Sequence, residues 1–355
     1  MKKLLIFIFL FWYCSYVSAQ TLTSVVCDKN TKEPVPFAYV YFDRTSINTL
    51  TDTLGRFKLD VKSVINAKLV LQHLTYESLI IDNPFAGLPD TLFMEEKLTL
   101  LNEIAITANR DNFTREQKMR AFREQFLGLT NAGRSCTIMN EDDIHLSFNT
   151  RTRRLQASAD VPIVLVNNYL GYRMIITLRN FWAEYKRISL NRNHFLRAYY
   201  SVDCFFIDQN LNNKKIEQHR SDVFKYSPNY FFKCFVDDSY QDNGFQVFIK
   251  GNKFDTRQYF SITDTESQKR IVVLPNTDIL KYSSYFNEYF KGIISVYYKF
   301  AAKSDIHFRS ETLLIDRYGN VDDFDKVFYS GNMGESRIGD MLPIDYEPAG
   351  INSKK

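Results

Sequence analysis

Short apolar runs separated by turn residues fill residues 20–108 of the chain. After a turn signal at Asp52 to Gly55, the apolar residues Phe57, Leu59 and Val61 alternate with polar ones. Alternation with a period of two predicts a strand with one buried face. In the turn, glycine can adopt a positive φ, and the aspartate can bond forward to backbone amides. About seven such short strands predict a β-sandwich.

A helical period follows a polar linker at residues 109–115. Phe122 and Phe126 recur at the spacing of one helix face, and a helix-start signal lies in the linker. Beyond this amphipathic helix, alternating apolar residues predict strands near residues 144–148, 155–159, 161–166, 172–181, 245–249, 290–300 and 312–316. The sequence therefore predicts a mainly β protein whose second part, residues 116–355, is a β-rich α+β domain.

The sequence makes two local predictions in this second part. The polar stretch from Asp208 to Ser221 predicts a mobile loop. Residues 290–300 predict one continuous strand, in which Phe290 and Phe300 lie on the same buried face.

The first 19 residues have the pattern of a secretory signal peptide. Lys2 and Lys3 precede an apolar run, and Val17 to Ala19 supplies small residues for cleavage before Gln20. The apolar run is shorter than the roughly 20 residues of a transmembrane helix. We therefore expect an exported protein of the periplasm or one associated with the outer membrane.

Charge and composition limit the classes of partner that we expect for this chain. The chain has 45 basic and 41 acidic residues, and loss of Lys2 and Lys3 with the signal peptide leaves 43 against 41. A net charge this small gives no reason to expect a nucleic-acid partner. The 30 Phe and 22 Tyr suit the half-buried surfaces of sheets, and a sugar-stacking face is the alternative use.

Four cysteines follow the predicted signal peptide: Cys27, Cys136, Cys204 and Cys234. An exported protein can form disulfides, but the wide spacing gives no recognisable disulfide framework. Buried free thiols are the simplest interpretation, and a bridge between Cys204 and Cys234 is the specific alternative.

The sequence contains no nucleophile elbow, phosphate-binding loop, dinucleotide-binding loop or paired-histidine zinc motif. It therefore predicts no catalytic residue, no metal and no cofactor. Glycoside hydrolysis by two carboxylates stays open, because those carboxylates need only be close in space.

A few residues are candidates for ligand binding. His194 and Arg197 would share a face of a short predicted helix and could hold an anion there, although a lone histidine beside apolar residues is more often structural. Arg337 is a third candidate, and Asp203 would join these three in a hydrolase. The basic cluster at residues 151–154, at the tip of a predicted hairpin, is most simply an exposed charged turn.

The stretch from Thr21 to Ala108 resembles the carboxypeptidase-like regulatory domain family. The matching elements are Val26-Cys27-Asp28, Thr31-Lys32-Glu33-Pro34, Ala38-Tyr39-Val40, Thr49-Leu50-Thr51-Asp52 and Gly55-Arg56-Phe57. The resemblance implies a transthyretin-like or Ig-like β-sandwich, as found at the N-terminus of exported bacterial envelope proteins.

The family name does not imply peptidase activity for this chain. A zinc carboxypeptidase needs a histidine and a glutamate close together as metal ligands. No histidine here is followed by glutamate three residues later; the five are His73, His145, His194, His219 and His307. We expect no carboxypeptidase activity.

Two further resemblances concern the rest of the chain. Leu101 to Ala108 is similar to the junction after such domains in TonB-dependent outer-membrane transporters, but the roughly 245 residues that follow are too few for a plug and a large barrel. We expect no transmembrane barrel. Residues 331–343, with 126–128 and 170–172, resemble exported proteins that carry the same sandwich and have no assigned reaction.

These observations favour a non-enzymatic cell-envelope protein that binds a glycan, a peptide or another envelope protein. The alternative is a hydrolase whose site lies in the second part of the chain. A deep pocket with converging buried polar groups would favour the hydrolase, whereas a shallow aromatic surface or an exposed sheet edge would favour binding.

Overall fold

The computed structural model describes residues 20–97, 111–210, 212–253, 255–275, 281–283 and 288–348. The predicted signal peptide and the junction-like segment 101–108 lie outside the described residues. Strands dominate the part of the chain that is described, which confirms the mainly β prediction. No helix of that part is long and apolar enough to cross a bilayer.

Two small sheets face each other in the N-terminal domain. Its strands are β1 (Gln20–Asp28), β2 (Tyr39–Phe42), β3 (Asn48–Leu50), β4 (Arg56–Val61), β5 (Leu69–Gln72), β6 (Leu79–Ile81) and β7 (Thr91–Met94). One sheet has the order β4-β1-β7 and the other β3-β2-β5-β6. Phe57, Leu59 and Val61 are at most 5% exposed and belong to the core between the sheets. The β-sandwich prediction is confirmed.

The turn before β4 has the predicted chemistry. Gly55 has a φ of +70°, and a Cβ at this position would lie 2.3 Å from the carbonyl oxygen of Val26. Oδ1 of Asp52 accepts hydrogen bonds from the N–H groups of Leu54 and Arg56 at 2.9 and 2.8 Å. Glycine is therefore required by both backbone conformation and space.

A six-stranded sheet follows, covered on one face by a helix. Its elements are α1 (Arg115–Leu127), α2 (Asn131–Arg134), β8 (Cys136–Ile138), β9 (Ile144–Asn149), β10 (Arg154–Ala159), β11 (Ile163–Asn167), β12 (Tyr172–Tyr185) and β13 (Phe195–Asp208). β12 is central: β13 pairs along one edge, whereas β11 and β10 share the other. As predicted, α1 is amphipathic; Thr114 caps it by accepting from the N–H of Gln117, and Phe122 and Phe126 are fully buried.

The last unit combines two helices with several smaller sheets. Its elements are α3 (Lys214–Lys225), α4 (Pro228–Val236), β14 (Phe245–Ile249), β15 (Asn252–Lys253), β16 (Phe260–Asp264), β17 (Lys269–Val273), β18 (Lys281–Ser283), β19 (Glu288–Phe290), β20 (Gly292–Tyr298), β21 (Ala302–Phe308), β22 (Thr312–Ile315) and β23 (Val327–Gly331). The sheets have the orders β15-β14-β20-β21-β23, β16-β17-β22 and β18-β19. Its buried cluster is separate from that of the six-stranded sheet, so residues 116–355 contain two cores.

The structure corrects two local predictions. The polar stretch from Asp208 to Ser221 is not a loop throughout, because α3 begins at Lys214 after an Asn213 cap. Residues 290–300 are not one strand: β20 ends at Tyr298, and Phe300 is 70% exposed in a turn with a φ of +57°. The tight turn into β21 takes Phe300 off the buried face.

The N-terminal domain is joined to both other units by hydrogen bonds. The N–H of Arg44 donates to the carbonyl of Cys204 at 2.6 Å, and the N–H of Phe206 donates to the carbonyl of Thr45 at 2.8 Å. On the other side, the N–H of Asn66 donates to the Asp316 carboxylate at 2.9 Å. The sandwich is thus held between the six-stranded sheet and the last unit.

All four cysteines in the described part of the chain are free thiols, and Cys204 and Cys234 are buried. The alternative of a bridge between these two is therefore wrong. Cys204 lies in β13 and packs in the core of the six-stranded sheet, whereas Cys234 lies in α4 and packs in the core of the last unit.

Candidate ligand-binding face

A bulge in β12 exchanges its inward and outward residues. The pairing of β12 with β13 shifts register between Leu178 and Asn180. Before the bulge, Ile175 packs against the N-terminal domain. After the bulge, Trp182 and Glu184 lie on that same side of the sheet and are only partly buried. This open end of the sheet, formed by β10, β12 and β13, is called the outer face below.

Three planar side chains stand in a row across the outer face. The register places Trp182 of β12 opposite Tyr199 of β13, with Arg154 of β10 diagonal to it. The Arg154 guanidinium lies 4.1 Å from the centre of the Trp182 ring, and the Trp182 and Tyr199 rings stack at 5.9 Å with an angle of 24°. Tyr199 lies on an edge strand and is 48% exposed. Arg154 therefore supports one end of the row from β10, and Tyr199 is accessible to solvent at the other end.

Arg154 and Arg197 share the carboxylate of Glu184. Their Nη2 atoms lie 2.8 and 3.2 Å from Oε2 of Glu184. The hydrogen bond from Arg154, with that from Arg197, lowers the pKa of Glu184, so the carboxylate stays ionised at neutral pH. The three side chains together carry a net charge of +1. Their guanidinium donors favour a ligand rich in acceptor oxygens or negative charge.

A cleft of about 400 Å³ adjoins the outer face where β10 and β11 separate beside β12. The N-terminal domain closes over this gap and contributes Phe37 and Leu74, each 62% exposed. Arg179 of β12 lines the opposite wall. Nε2 of Gln72 donates to Oγ1 of Thr177 at 2.5 Å and links the two walls. The cleft thus offers apolar surface beside charged groups of both signs, which also include Glu77, Lys97 and Asp160.

The structure separates the candidate residues that the sequence suggested. His194 lies in the turn before β13, with Nδ1 2.8 Å from Oγ of Ser189. Arg197 lies within β13, so the predicted shared helix face is wrong; pairing with β12 from Phe195 onward makes this segment a strand. Asp203 forms an ion pair with Arg179 at 2.6 Å.

Arg337 lies at a different place in the fold. Its guanidinium donates to the carbonyl oxygens of Glu335 and Ser336 at 3.1 and 3.2 Å, and its N–H donates to the Asp340 carboxylate. These bonds stabilise the turn that follows β23. Of the candidates, Arg197 is the one that belongs to the outer face.

Sequence reasoning missed Trp182, Glu184 and Tyr199. The alternation of Trp182 and Glu184 with buried Phe181 and Ala183 is visible in the sequence, as a strand with one accessible side. The bulge conceals which side of the sheet these residues face, because it shifts the alternation that β12 begins with by one residue.

Charged groups of the outer face are paired with one another. Its carboxylate, Glu184, is held by two guanidinium groups, whereas acid–base catalysis needs a group whose proton can be exchanged with the substrate. In the described part of the chain, no three His, Cys, Asp or Glu side chains lie close enough together to hold a metal ion. The surface is open and aromatic.

A known family of protein domains matches the N-terminal domain. Residues 22–106 match the family model of the CarboxypepD_reg-like domain. No curated protein and no solved structure matches the chain significantly. The match covers the strands β1 to β7 and agrees with their sandwich arrangement. Residues 22–106 are therefore a CarboxypepD_reg-like domain.

Proposed function

We propose that this chain is an exported cell-envelope protein that binds a glycan on the outer face and does not cleave it. The observation that carries the proposal is the row of Arg154, Trp182 and Tyr199 on an open sheet. A half-exposed aromatic ring, backed by a second ring, offers a flat apolar surface to one face of a sugar. The neighbouring guanidinium groups supply hydrogen-bond donors for its oxygens.

One feature supports an elongated ligand. The outer face is continuous with the cleft beside β12, because Arg179 of the cleft and Trp182 of the row lie three residues apart on that strand. At the rise of a strand, this is about 10 Å. A chain of sugars could therefore contact Tyr199 with one unit and enter the cleft with another.

Export to the cell envelope is part of the proposal, and it depends on residues 1–19. Their basic, apolar and small-residue segments support export. Fractionation of cells that produce the full chain tests this part, with loss of residues 2–19 as the control. Recovery of both forms in the cytoplasm would contradict export.

The binding test uses isothermal titration of the full chain with a panel of neutral and uronic-acid-containing oligosaccharides. We expect Tyr199→Ala and Trp182→Ala to weaken binding at least tenfold, and Tyr199→Phe to keep it within threefold. Phe300→Ala, which removes an exposed ring of the last unit, is the control and should leave binding unchanged.

The proposal fails if the ring variants bind as the unaltered chain does, while circular dichroism shows that they are folded. It also fails if the bound oligosaccharide is recovered shortened, since that would indicate the hydrolase alternative. Chromatography of the sugar after incubation makes this distinction.

A further inference from the structure

Basic residues are concentrated at one end of the six-stranded sheet, in its turns and in the first residues of β10 and β13. The segments 149–154 and 185–197 contain six arginines and one lysine, but neither aspartate nor glutamate. The seven residues are Arg151, Arg153, Arg154, Lys186, Arg187, Arg192 and Arg197. We call this group the basic end.

Backbone and side-chain contacts bring these segments together. The N–H of Tyr185 donates to the carbonyl of Arg153 at 3.0 Å, and a guanidinium nitrogen of Arg153 donates to the carbonyl of Lys186 at 3.2 Å. The N–H of Lys186 donates to the carbonyl of His194 at 2.7 Å. The β9–β10 turn and the two turns between β12 and β13 are therefore neighbours.

Little negative charge opposes the basic end. Glu184 pairs with Arg154 and Arg197, as described for the outer face. Among the described residues, no carboxylate lies within ion-pair distance of the other five cations, all of which are exposed. Counted against Glu184, the carboxylate that pairs with them, the seven cations leave an excess of six positive charges. The small net charge of the whole chain conceals this concentration.

The composition of the basic end favours carboxylate or sulfate groups. Arginine presents a planar fork that binds such oxyanions through two parallel hydrogen bonds, whereas lysine is a point charge. The cations extend from the turns onto the outer face through Arg154 and Arg197, beside the aromatic row. A linear polyanion lying on the aromatic row would therefore continue onto the basic end.

A membrane surface is the competing anionic partner. Basic proteins that dock on lipid usually insert apolar side chains beside their cations. The exposed apolar residues at this end are Ile188 and Leu196, at 59% and 46%. Because Arg154 and Arg197 lie on strands beside the aromatic row, we favour a linear polymer that follows the sheet over a lipid surface.

We propose that the basic end binds the carboxylate or sulfate groups of an acidic polysaccharide. This proposal rests on the proposed function and names the class of glycan: the neutral parts of the sugars contact the aromatic row, and the acidic groups contact the basic end. Binding would weaken with salt, because counterions are released from both partners.

The test compares two triple variants of the full chain that lose the same charge. Arg151→Gln, Arg187→Gln and Arg192→Gln remove three cations of the basic end. Lys58→Gln, Lys253→Gln and Lys303→Gln remove three exposed lysines from β4, β15 and β21. The probes are alginate, dextran sulfate, neutral dextran and phosphatidylglycerol vesicles, at 50 and 200 mM salt.

We expect alginate or dextran sulfate to bind the unaltered chain, with affinity that falls as salt rises. The basic-end variant should bind at least tenfold more weakly and with a smaller salt dependence, whereas the lysine variant should stay within threefold. Equal losses in both variants would show an effect of net charge alone and overturn the proposal.

Other outcomes separate this proposal from the proposed function. Binding of neutral sugars that needs Tyr199 but no basic-end arginine would leave the proposed function standing and overturn the acidic-glycan proposal. Failure of every sugar to bind would overturn both. Vesicle binding that exceeds alginate binding and falls with Ile188→Ser would assign the basic end to a membrane surface instead.

Discussion

At the residue scale, Asp316 shows how a single buried carboxylate joins distant segments. It accepts hydrogen bonds from the N–H groups of Asn66, Tyr318 and Asn320, and from the Asn320 side chain, at 2.8 to 3.0 Å. Sequence reasoning could not assign this role, because Asn66 is 250 residues away. By contrast, the turn of Asp52 and Gly55 was predictable, since its partners are a few residues apart.

Replacement of Asp316 by alanine should destabilise the chain by about 2–3 kcal/mol, because it leaves buried N–H groups without acceptors. Burial raises the pKa of Asp316 above its ordinary value of 3.8. The folded chain therefore binds this proton more tightly than the unfolded chain. The resulting contribution to stability is complete below the ordinary pKa and is lost as pH rises through the raised one.

Urea unfolding between pH 3.5 and 7 measures both effects. Asp316→Ala should lower the free energy of unfolding throughout and should remove the decline that Asp316 contributes as pH rises. The exposed Asp325→Ala is the control, with an expected change within about 0.5 kcal/mol. Equal stability of the two variants would contradict the role of Asp316.

The cysteines give a second prediction at this scale. Burial raises the pKa of Cys136 to about 12 and of Cys234 to about 11, and also raises that of the fully buried Cys204. Since the thiolate is the reactive form, iodoacetamide at pH 8 should label Cys204 and Cys234 in urea but not in the folded protein. Peptide mass spectrometry resolves the sites. A disulfide-linked peptide containing both residues would contradict the free-thiol assignment.

At the scale of elements, Arg220 is a central link between α3 and the six-stranded sheet. The side chain of Arg220 is 3% exposed and donates to the carbonyl oxygens of Leu170 and Gly171 and to the Asp208 carboxylate. Its guanidinium also lies 3.7 Å from the centre of the Tyr172 ring. The sequence predicted a loop here because α3 is largely polar and because these partners lie outside the segment.

Substitution of Arg220 by methionine should cost about 2–4 kcal/mol, because two carbonyl groups lose their donors and Asp208 loses its partner. Lys225→Met on the same helix removes an ion pair with Asp222 near the surface and should cost less than about 0.5 kcal/mol. Chemical unfolding followed by circular dichroism compares the two. Similar small losses would show that the other contacts of α3 are sufficient to hold it on the sheet.

Part of the candidate site could be predicted from the sequence. The hairpin of β9 and β10 and the first part of β12 follow from alternation, so these strands could be predicted from the sequence. The start of β13 could not, because the sequence indicated a short helix there. Nor could the outer face, because one residue inserted at Arg179 changes which side chains face solvent. Arg197 was identified as a ligand candidate, but its partners Trp182 and Glu184 depend on strand register.

At the scale of the whole molecule, the position of the N-terminal domain determines the cleft beside the outer face. One wall of that cleft comes from the sandwich and the other from β12. The contacts of Asn66 with the last unit help to fix this arrangement: its side chain donates to the carbonyl oxygens of Leu314 and Asn320 and accepts from Gln268. The domain should therefore unfold together with the rest of the chain.

Scanning calorimetry of the full chain tests this coupling. We expect a single transition, and we expect Asn66→Ala to lower its midpoint by several degrees, because up to three hydrogen bonds worth about 1 kcal/mol each are lost. Asn83→Ala, at an exposed position of the same domain, is the control and should leave the midpoint unchanged. Two separate transitions in the unaltered chain would show that the sandwich is an independent unit. In that case the cleft would depend on a movable wall, and ligand binding should raise the midpoint of the first transition.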